Sequence, residues 1–168
     1  MKTILYMAIS ANGMIAQKND DTSWISPEEW DSYSLMARTA GNIVIGHRTY
    51  DIITKQPEFA EFKDIKVVIV SSQNFQTLSN NHTVVHSPQE ALKRLEKFNE
   101  VIVAGGSILN LAFMKADLID EIYLDIEPIV IGSGIPIFAN EKFDRKLQLL
   151  DMKKITDNVI QLHYKVLG

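Results

Sequence analysis

Short apolar, β-branched runs recur along this chain, and most of them stop at or near glycine or serine before a segment with a helical pattern. The runs are Ile4–Ile9, Asn42–Ile45, Lys66–Val70, Thr83–Val85 and Val101–Val103. Runs with little polar alternation are typical of strands buried on both faces of a parallel sheet, because crossover helices cover both faces. The pattern therefore predicts an α/β fold with a mostly parallel central sheet.

Two serine-containing segments carry strong helix-start signals. Ser26–Glu29 and Ser87–Glu90 each combine a serine N-cap, proline at the first helical position and glutamate three residues after the cap. We expect the first helix to run to about Thr39 and to end near Gly41. Further helices are expected from Thr49 and from Ser107, the latter through about Met114.

The pattern changes in the last third of the chain. Glu121–Ile126, the region around Ile129–Ile131, Leu147–Ile155 and Val159–Val166 predict four strands with no helix between them. The last two strands are joined through Asp157–Asn158, which is typical of a turn. We therefore expect three layers, with helices on both faces of the sheet and an antiparallel C-terminal edge.

Length, charge and composition narrow the classes of function. The 168 residues fit one domain spanning 1–168. Absence of cysteine excludes a thiol nucleophile and a thiolate-bound zinc, and it fits a reducing compartment such as the cytoplasm. No metal site is expected. A net charge of −4 without clustered basic residues argues against a nucleic-acid partner. No apolar run approaches the roughly 20 residues needed to cross a bilayer, so no membrane association is expected.

Two strand ends contain glycine at the start of a predicted helix. Ala104–Ser107 follows a strand directly, and its glycines would let backbone amides approach a phosphate at a helix N-terminus. Gly46–Tyr50 adds His47 and Arg48, whose side chains suit a phosphate monoester. Each junction is also compatible with a plain turn or a capped helix that binds nothing. Their occurrence together favours a ligand with two phosphates.

A third strand end carries short hydroxyls in place of glycine. Ser71 and Ser72 follow the strand Lys66–Val70. Their hydroxyls would suit a phosphate or ribose, and they would equally well satisfy loop backbone groups.

These motifs, in order and spacing, resemble the dihydrofolate reductase-like superfamily. The resemblance rests on Ser10–Ala16, Trp24 before the first helix, Ile45–Tyr50, Val70–Ser72 and Ala104–Ser107. The run Ile119–Phe138 follows the pattern D-E-x-x-L-x-I-x-P-x-x-x-G-x-G-x-x-x-F, which is similar to the branch of riboflavin-biosynthesis reductases, the RibD C-terminal domain.

The resemblance implies a sheet of about eight strands with NADPH bound across its C-terminal edge. Residues from Gly46 to Thr49 would contact the pyrophosphate and adenosine side, and Gly105–Gly106 would form a cis peptide beneath the cofactor. Hydride transfer belongs to the cofactor, which the protein positions. The implied contacts near the nicotinamide are Ala8, Ile15 and Ala16; those near the phosphates are Gly46, His47, Arg48, Thr49, Ser71, Ser72, Gly105, Gly106, Ser107 and Ile108.

Reduction of a C=N bond also needs a proton, which a carboxylic acid near the nicotinamide would supply. The resemblance places the superfamily's acid at Glu29, which is also the third residue of the predicted capping box. Asp31 is a second candidate, but it lies roughly 200° around the helix from Glu29, so the two cannot share one pocket. A third possibility is that no acid on this helix contacts the substrate.

Two departures argue against folate as the substrate. Ile65 stands where dihydrofolate reductases carry the arginine that binds the glutamate tail. Asp125 stands where they have a threonine that hydrogen-bonds the acid, and it either contacts a different substrate or is structural. Two facing carboxylates would raise at least one pKa.

The predicted function is therefore an NADPH-dependent reductase of a pteridine- or pyrimidine-type small molecule, such as the riboflavin precursor 5-amino-6-(5-phosphoribosylamino)uracil. A divergent dihydrofolate reductase and an inert nucleotide-binding module are the alternatives. The branch also implies a homodimer, for which the apolar C-terminal strands would be suitable.

Overall fold

The computed structural model describes residues 1–168 and contains ten strands in two sheets. The large sheet has eight strands in the order β5-β4-β3-β6-β1-β7-β10-β9, and the small one pairs β2 with β8. The first six strands of the large sheet are parallel, whereas β10 and β9 are antiparallel. This confirms the predicted α/β class. The strands are β1 Lys2–Ser10, β2 Met14–Gln17, β3 Asn42–Gly46, β4 Lys66–Val70, β5 His82–Val85, β6 Glu100–Val103, β7 Glu121–Glu127, β8 Gly134–Pro136, β9 Leu147–Lys154 and β10 Ile160–Val166.

Four α-helices and one 3-10 helix connect the strands. The helices are α1 Pro27–Ala40, α2 His47–Ile53, the 3-10 helix Pro57–Phe62, α3 Pro88–Arg94 and α4 Ser107–Lys115. Ser26 caps α1 as predicted, and Gly41 ends it in the left-handed conformation, with φ of 74°. The helix predicted from Thr49 begins two residues earlier, at His47. None of the helices has the length and apolar character of a membrane span.

The prediction of a strand around Ile129–Ile131 is wrong. Asn12, in the loop after β1, binds this segment through its side chain: its Oδ1 accepts from the Ile131 amide at 3.0 Å and its Nδ2 donates to the Ile131 carbonyl. The Ile129 carbonyl accepts from the amide of Ala11. The segment is therefore a loop that bonds to the loop after β1. The next strand along the chain is β8, which pairs with β2, a strand that was not predicted.

Alternate residues of the strands pack against helices on opposite faces. On one face, Leu5 and Val44 join a core cluster with Phe113 of α4. On the other, Tyr6 and Ile45 join a second cluster that includes Tyr33 of α1, Tyr50 of α2 and Phe62. This three-layer arrangement brings the junction after β3 beside the junction after β6.

Candidate functional site

The two glycine-containing junctions are joined by backbone hydrogen bonds at the C-terminal edge of the sheet. The amide of Gly46 donates to the carbonyl of Gly105 at 2.8 Å, and the amide of Ala104 donates to the carbonyl of Val44 at 2.9 Å. The Gly105–Gly106 peptide is cis, as the resemblance implied. Two motifs that are 60 residues apart in sequence thus form one surface.

Backbone and side chains approach each other closely at this surface. A Cβ on Gly106 would lie 3.2 Å from Oγ1 of Thr49, which is a tight contact, and one on Gly46 would lie 3.6 Å from the amide nitrogen of Gly106, which is an ordinary contact. The hydroxyl of Ser107 is buried and has no hydrogen-bond partner. No side chain caps α4, so its first amides are also free. These donors match what a diphosphate accepts at a helix N-terminus.

The residues predicted to hold a further phosphate lie beside this surface. His47 stacks on Phe75 with ring centroids 4.0 Å apart, and its Nδ1 is 3.3 Å from Oγ of Ser71. Ser72 is exposed. Arg48 is bound to Asp20, a partner that no sequence motif indicated.

The residues implied to flank a nicotinamide lie near the end of β1. Ala8 is buried and stands opposite Asp125 in the β1–β7 register. Ala16 is buried and Ile15 is half-buried on β2, which packs against β1. Ile108, in the first turn of α4, is 79% exposed.

Glu29 is a buried acid with an unpaired carboxyl. It is only 4% exposed, and its side chain makes no hydrogen bond. Burial, followed by the charges of Asp125 and Glu127, raises the pKa of Glu29 to about 8. Glu29 is therefore largely protonated at neutral pH. Asp31 lies on the exposed side of the same helix, away from Glu29.

Asp125 is bound on two sides within the sheet. It is completely buried, accepts a hydrogen bond from the hydroxyl of Tyr6, and accepts another from Nε2 of Gln161 at 2.8 Å. Burial raises the pKa of Asp125, and the two hydrogen bonds oppose that rise. Sequence reasoning placed Asp125 next to the acid, but it missed both partners.

Glu127 is a third buried acid, which the sequence analysis did not single out. It ends β7, is 2% exposed, and one of its oxygens accepts from both the amide and the hydroxyl of Ser26, at 2.9 and 2.7 Å. A glutamate directly after the predicted strand Glu121–Ile126 and before Pro128 was the available signal.

Residues 1–161 match the model of the RibD C-terminal domain. The chain belongs to the RibD C-terminal domain family. The Bacillus subtilis protein YwjB is 31% identical over 170 residues, which cover 97% of each chain. Membership confirms the suspected resemblance and supports a reductase of the kind found in riboflavin biosynthesis.

Solved structures with the same fold are more distant in sequence. A proposed riboflavin biosynthesis protein of Shewanella sp. PV-4 superposes with a TM-score of 0.83 at 22% identity over the whole of both chains. RibD of Acinetobacter baumannii superposes with a TM-score of 0.82 at 17% identity; the match covers 99% of this chain and 58% of RibD. The fold of this RibD-family chain is thus that of the RibD reductase-type domain.

Proposed function

We propose that this RibD-family protein is an NADPH-dependent reductase of a pteridine- or pyrimidine-type substrate, similar to 5-amino-6-(5-phosphoribosylamino)uracil. One observation carries the proposal. A protonated, unpaired acid, Glu29, lies at the same edge of the sheet as two joined glycine junctions rich in free donors. Hydride transfer from a dinucleotide to an imine or carbonyl needs both features in one place.

The junction residues fit the phosphates of a dinucleotide. Gly46, Thr49, Gly106 and the unpaired hydroxyl of Ser107 would hold the diphosphate. His47, Arg48 and Ser72 would hold the 2′-phosphate that separates NADPH from NADH. Ala8, Ile15 and Ala16 would flank the nicotinamide. When bound, the reduced nicotinamide supplies the hydride that adds to carbon.

Glu29 would supply the accompanying proton. Because its pKa is raised to about 8, the carboxyl holds its proton at neutral pH and can release it to a nitrogen or oxygen that is gaining electron density. The substrate then gains one hydride at carbon and one proton at the heteroatom. Water afterwards returns the proton to the Glu29 carboxylate.

The position of Ile65 favours a pyrimidine-type substrate over folate. Ile65 is buried at 5% exposure and belongs to the core, so it offers no charge to a glutamate tail. A divergent dihydrofolate reductase therefore remains the second candidate.

We also propose that the protein forms a homodimer through the C-terminal strands and that it acts in the cytoplasm. Strand β9 has only one neighbour, and its residues Leu149 and Met152 are 53% and 62% exposed. They lie on the same sheet face as Leu124 and Leu162, which are half-buried. A second copy would cover this apolar face. The absence of cysteine fits a reducing compartment.

The test is a direct comparison of substrates. Purified protein is mixed with NADPH and either dihydrofolate or the ribosylamino-pyrimidine phosphate, and loss of the nicotinamide absorbance is followed. Faster oxidation with the pyrimidine supports the proposal, and faster oxidation with dihydrofolate supports the second candidate. NADPH binding without oxidation by either compound would favour a nucleotide-binding module.

A further inference from the structure

The start of α1 forms only half of a capping box. In the complete motif, the N-cap serine and the glutamate three residues later each accept a hydrogen bond from the other's backbone amide. Here Oγ of Ser26 accepts from the amide of Glu29 at 3.3 Å. The return bond is missing, because the amide of Ser26 donates to Glu127 instead.

Glu127, which lies outside the helix, accepts the hydrogen bonds that the N-terminal end of α1 has to offer at Ser26. It is the last residue of β7, and its carboxylate oxygen takes both the amide and the hydroxyl of Ser26. The two residues are 101 positions apart, so the bond ties the first turn of α1 to the sheet. A buried carboxylate with two donors is well satisfied, and charged hydrogen bonds of this kind are among the stronger ones in proteins.

We propose that Glu127 is a positioning residue that takes over the capping role of Glu29 and thereby leaves the Glu29 carboxyl free to act on the substrate. The inference rests on the proposed function, in which Glu29 donates the proton. Without Glu127, the Ser26 amide would lack its acceptor, and in a complete capping box that acceptor is the carboxyl of the third helical residue, here Glu29. The Glu29 carboxyl would then be lost to the substrate.

The groups around Glu29 support the same role. Asp125 and Glu127, both on β7, are the charged groups that act on Glu29, and both carry the same sign as its carboxylate. The neighbouring hydroxyls belong to Tyr6 of β1 and Tyr33 of α1, where burial raises each pKa, so both remain neutral. Glu127 therefore both removes a partner from Glu29 and opposes its ionisation.

The decisive experiment measures the pKa of Glu29 directly, by carbon-detected NMR of its side-chain carboxyl. In Glu127→Ala, the Ser26 amide loses its acceptor and we expect Glu29 to replace it. The pKa of Glu29 should then fall by about two units or more, because a hydrogen bond from an amide favours the carboxylate. In Glu127→Gln, the acceptor oxygen remains and one like charge is lost, so we expect a fall of about one unit.

The control is Glu28→Gln, which removes an equal charge from the exposed side of the same helical turn. We expect it to leave the Glu29 pKa unchanged. An unchanged Glu29 pKa in a folded Glu127→Ala variant would overturn the proposal. If that variant does not fold, an unchanged pKa in Glu127→Gln would overturn it equally.

Activity provides a second readout that separates this inference from the proposed function. We expect the limb of the kcat–pH profile that reports the acid to shift to lower pH in Glu127→Gln, and kcat to fall more than KM rises in Glu127→Ala. If the wild-type protein reduces no substrate, the proposed function fails, while the NMR titration still decides the role of Glu127.

Discussion

The guanidinium of Arg48 donates two hydrogen bonds to a single carboxylate oxygen of Asp20, from Nε at 3.0 Å and from Nη2 at 2.6 Å. Asp20 follows β2 and has a left-handed backbone, with φ of 66°. The pair therefore joins the loop between β2 and α1 to the start of α2, and it occupies the side chain proposed to bind a phosphate.

Replacing Asp20 with asparagine should strengthen NADPH binding. The wild-type carboxylate competes with the 2′-phosphate for Arg48, and asparagine removes that charge. We expect a few-fold lower Kd for NADPH, because one exposed ion pair contributes about that much, and we expect little change in the Kd for NADH. Titration calorimetry at low salt measures both. Asp157→Asn, in the exposed β9–β10 turn, is the charge-matched control; equal effects from the two variants would contradict the prediction.

Replacing Gly105 with alanine should weaken stability. Gly105 has φ of 91°, where an L side chain is strained, and its Cβ would lie 3.3 Å from the side chain of Met7. We expect a loss of about 1–3 kcal/mol in the free energy of unfolding, measured by urea denaturation. Gly132→Ala is the control, because its Cβ would meet nothing within 4 Å. A Gly105→Ala variant as stable as this control would refute the strain argument.

Replacing Glu29 with glutamine should change how stability depends on pH. The pKa of Glu29 is raised from 4.5 to about 8, so the folded state binds the proton more tightly than the unfolded state. This stabilisation is complete below about pH 4.5 and is lost as the pH rises through about 8. We therefore expect Glu29→Gln to gain stability relative to wild type across that window, by on the order of a few kcal/mol at most. Urea denaturation at the two ends of the window measures the difference, and a constant difference would contradict a raised pKa.

Charge on the exposed face of β9 should disrupt the proposed dimer. The double variant Leu149→Glu, Met152→Glu places two carboxylates on a surface that a second copy would bury. We expect light scattering to give twice the mass of the chain for wild type and the single mass for the variant. Gln148→Glu and Lys153→Gln, made together on the opposite face of the same strand, change the charge equally and form the control for strand pairing. A wild-type protein with the mass of a single chain would contradict the proposed dimer.

The parts of the fold that depend on local sequence were predictable. The correct fold class followed from three local signals, each of which acts within a few residues. They are the capping serines, the glycine at the end of α1 and the unbroken apolar strands. The strand prediction around Ile129–Ile131 was wrong because this segment bonds to the side chain of Asn12, which is 119 positions away from Ile131. Strand propensity carries no information about such a partner.

The candidate site was predictable to a similar extent. The glycine junctions were found because glycine at a strand end is a local signal. The bonds from Ser26 to Glu127 and from Arg48 to Asp20 were not found, because each joins residues that only the folded chain brings together. The half-formed capping box at Glu29 shows most clearly how local and long-range signals differ. The local motif is present, but a distant acid, Glu127, replaces one of its two hydrogen bonds.

Calorimetric titration of the wild-type protein with NADPH and with NADH tests the central claim most directly. The joined glycine junctions, with His47 and Arg48 beside them, predict one NADPH per chain and at least about tenfold weaker binding of NADH, which lacks the 2′-phosphate. Absence of heat with either nucleotide, from protein shown to be folded, would contradict the proposed reductase.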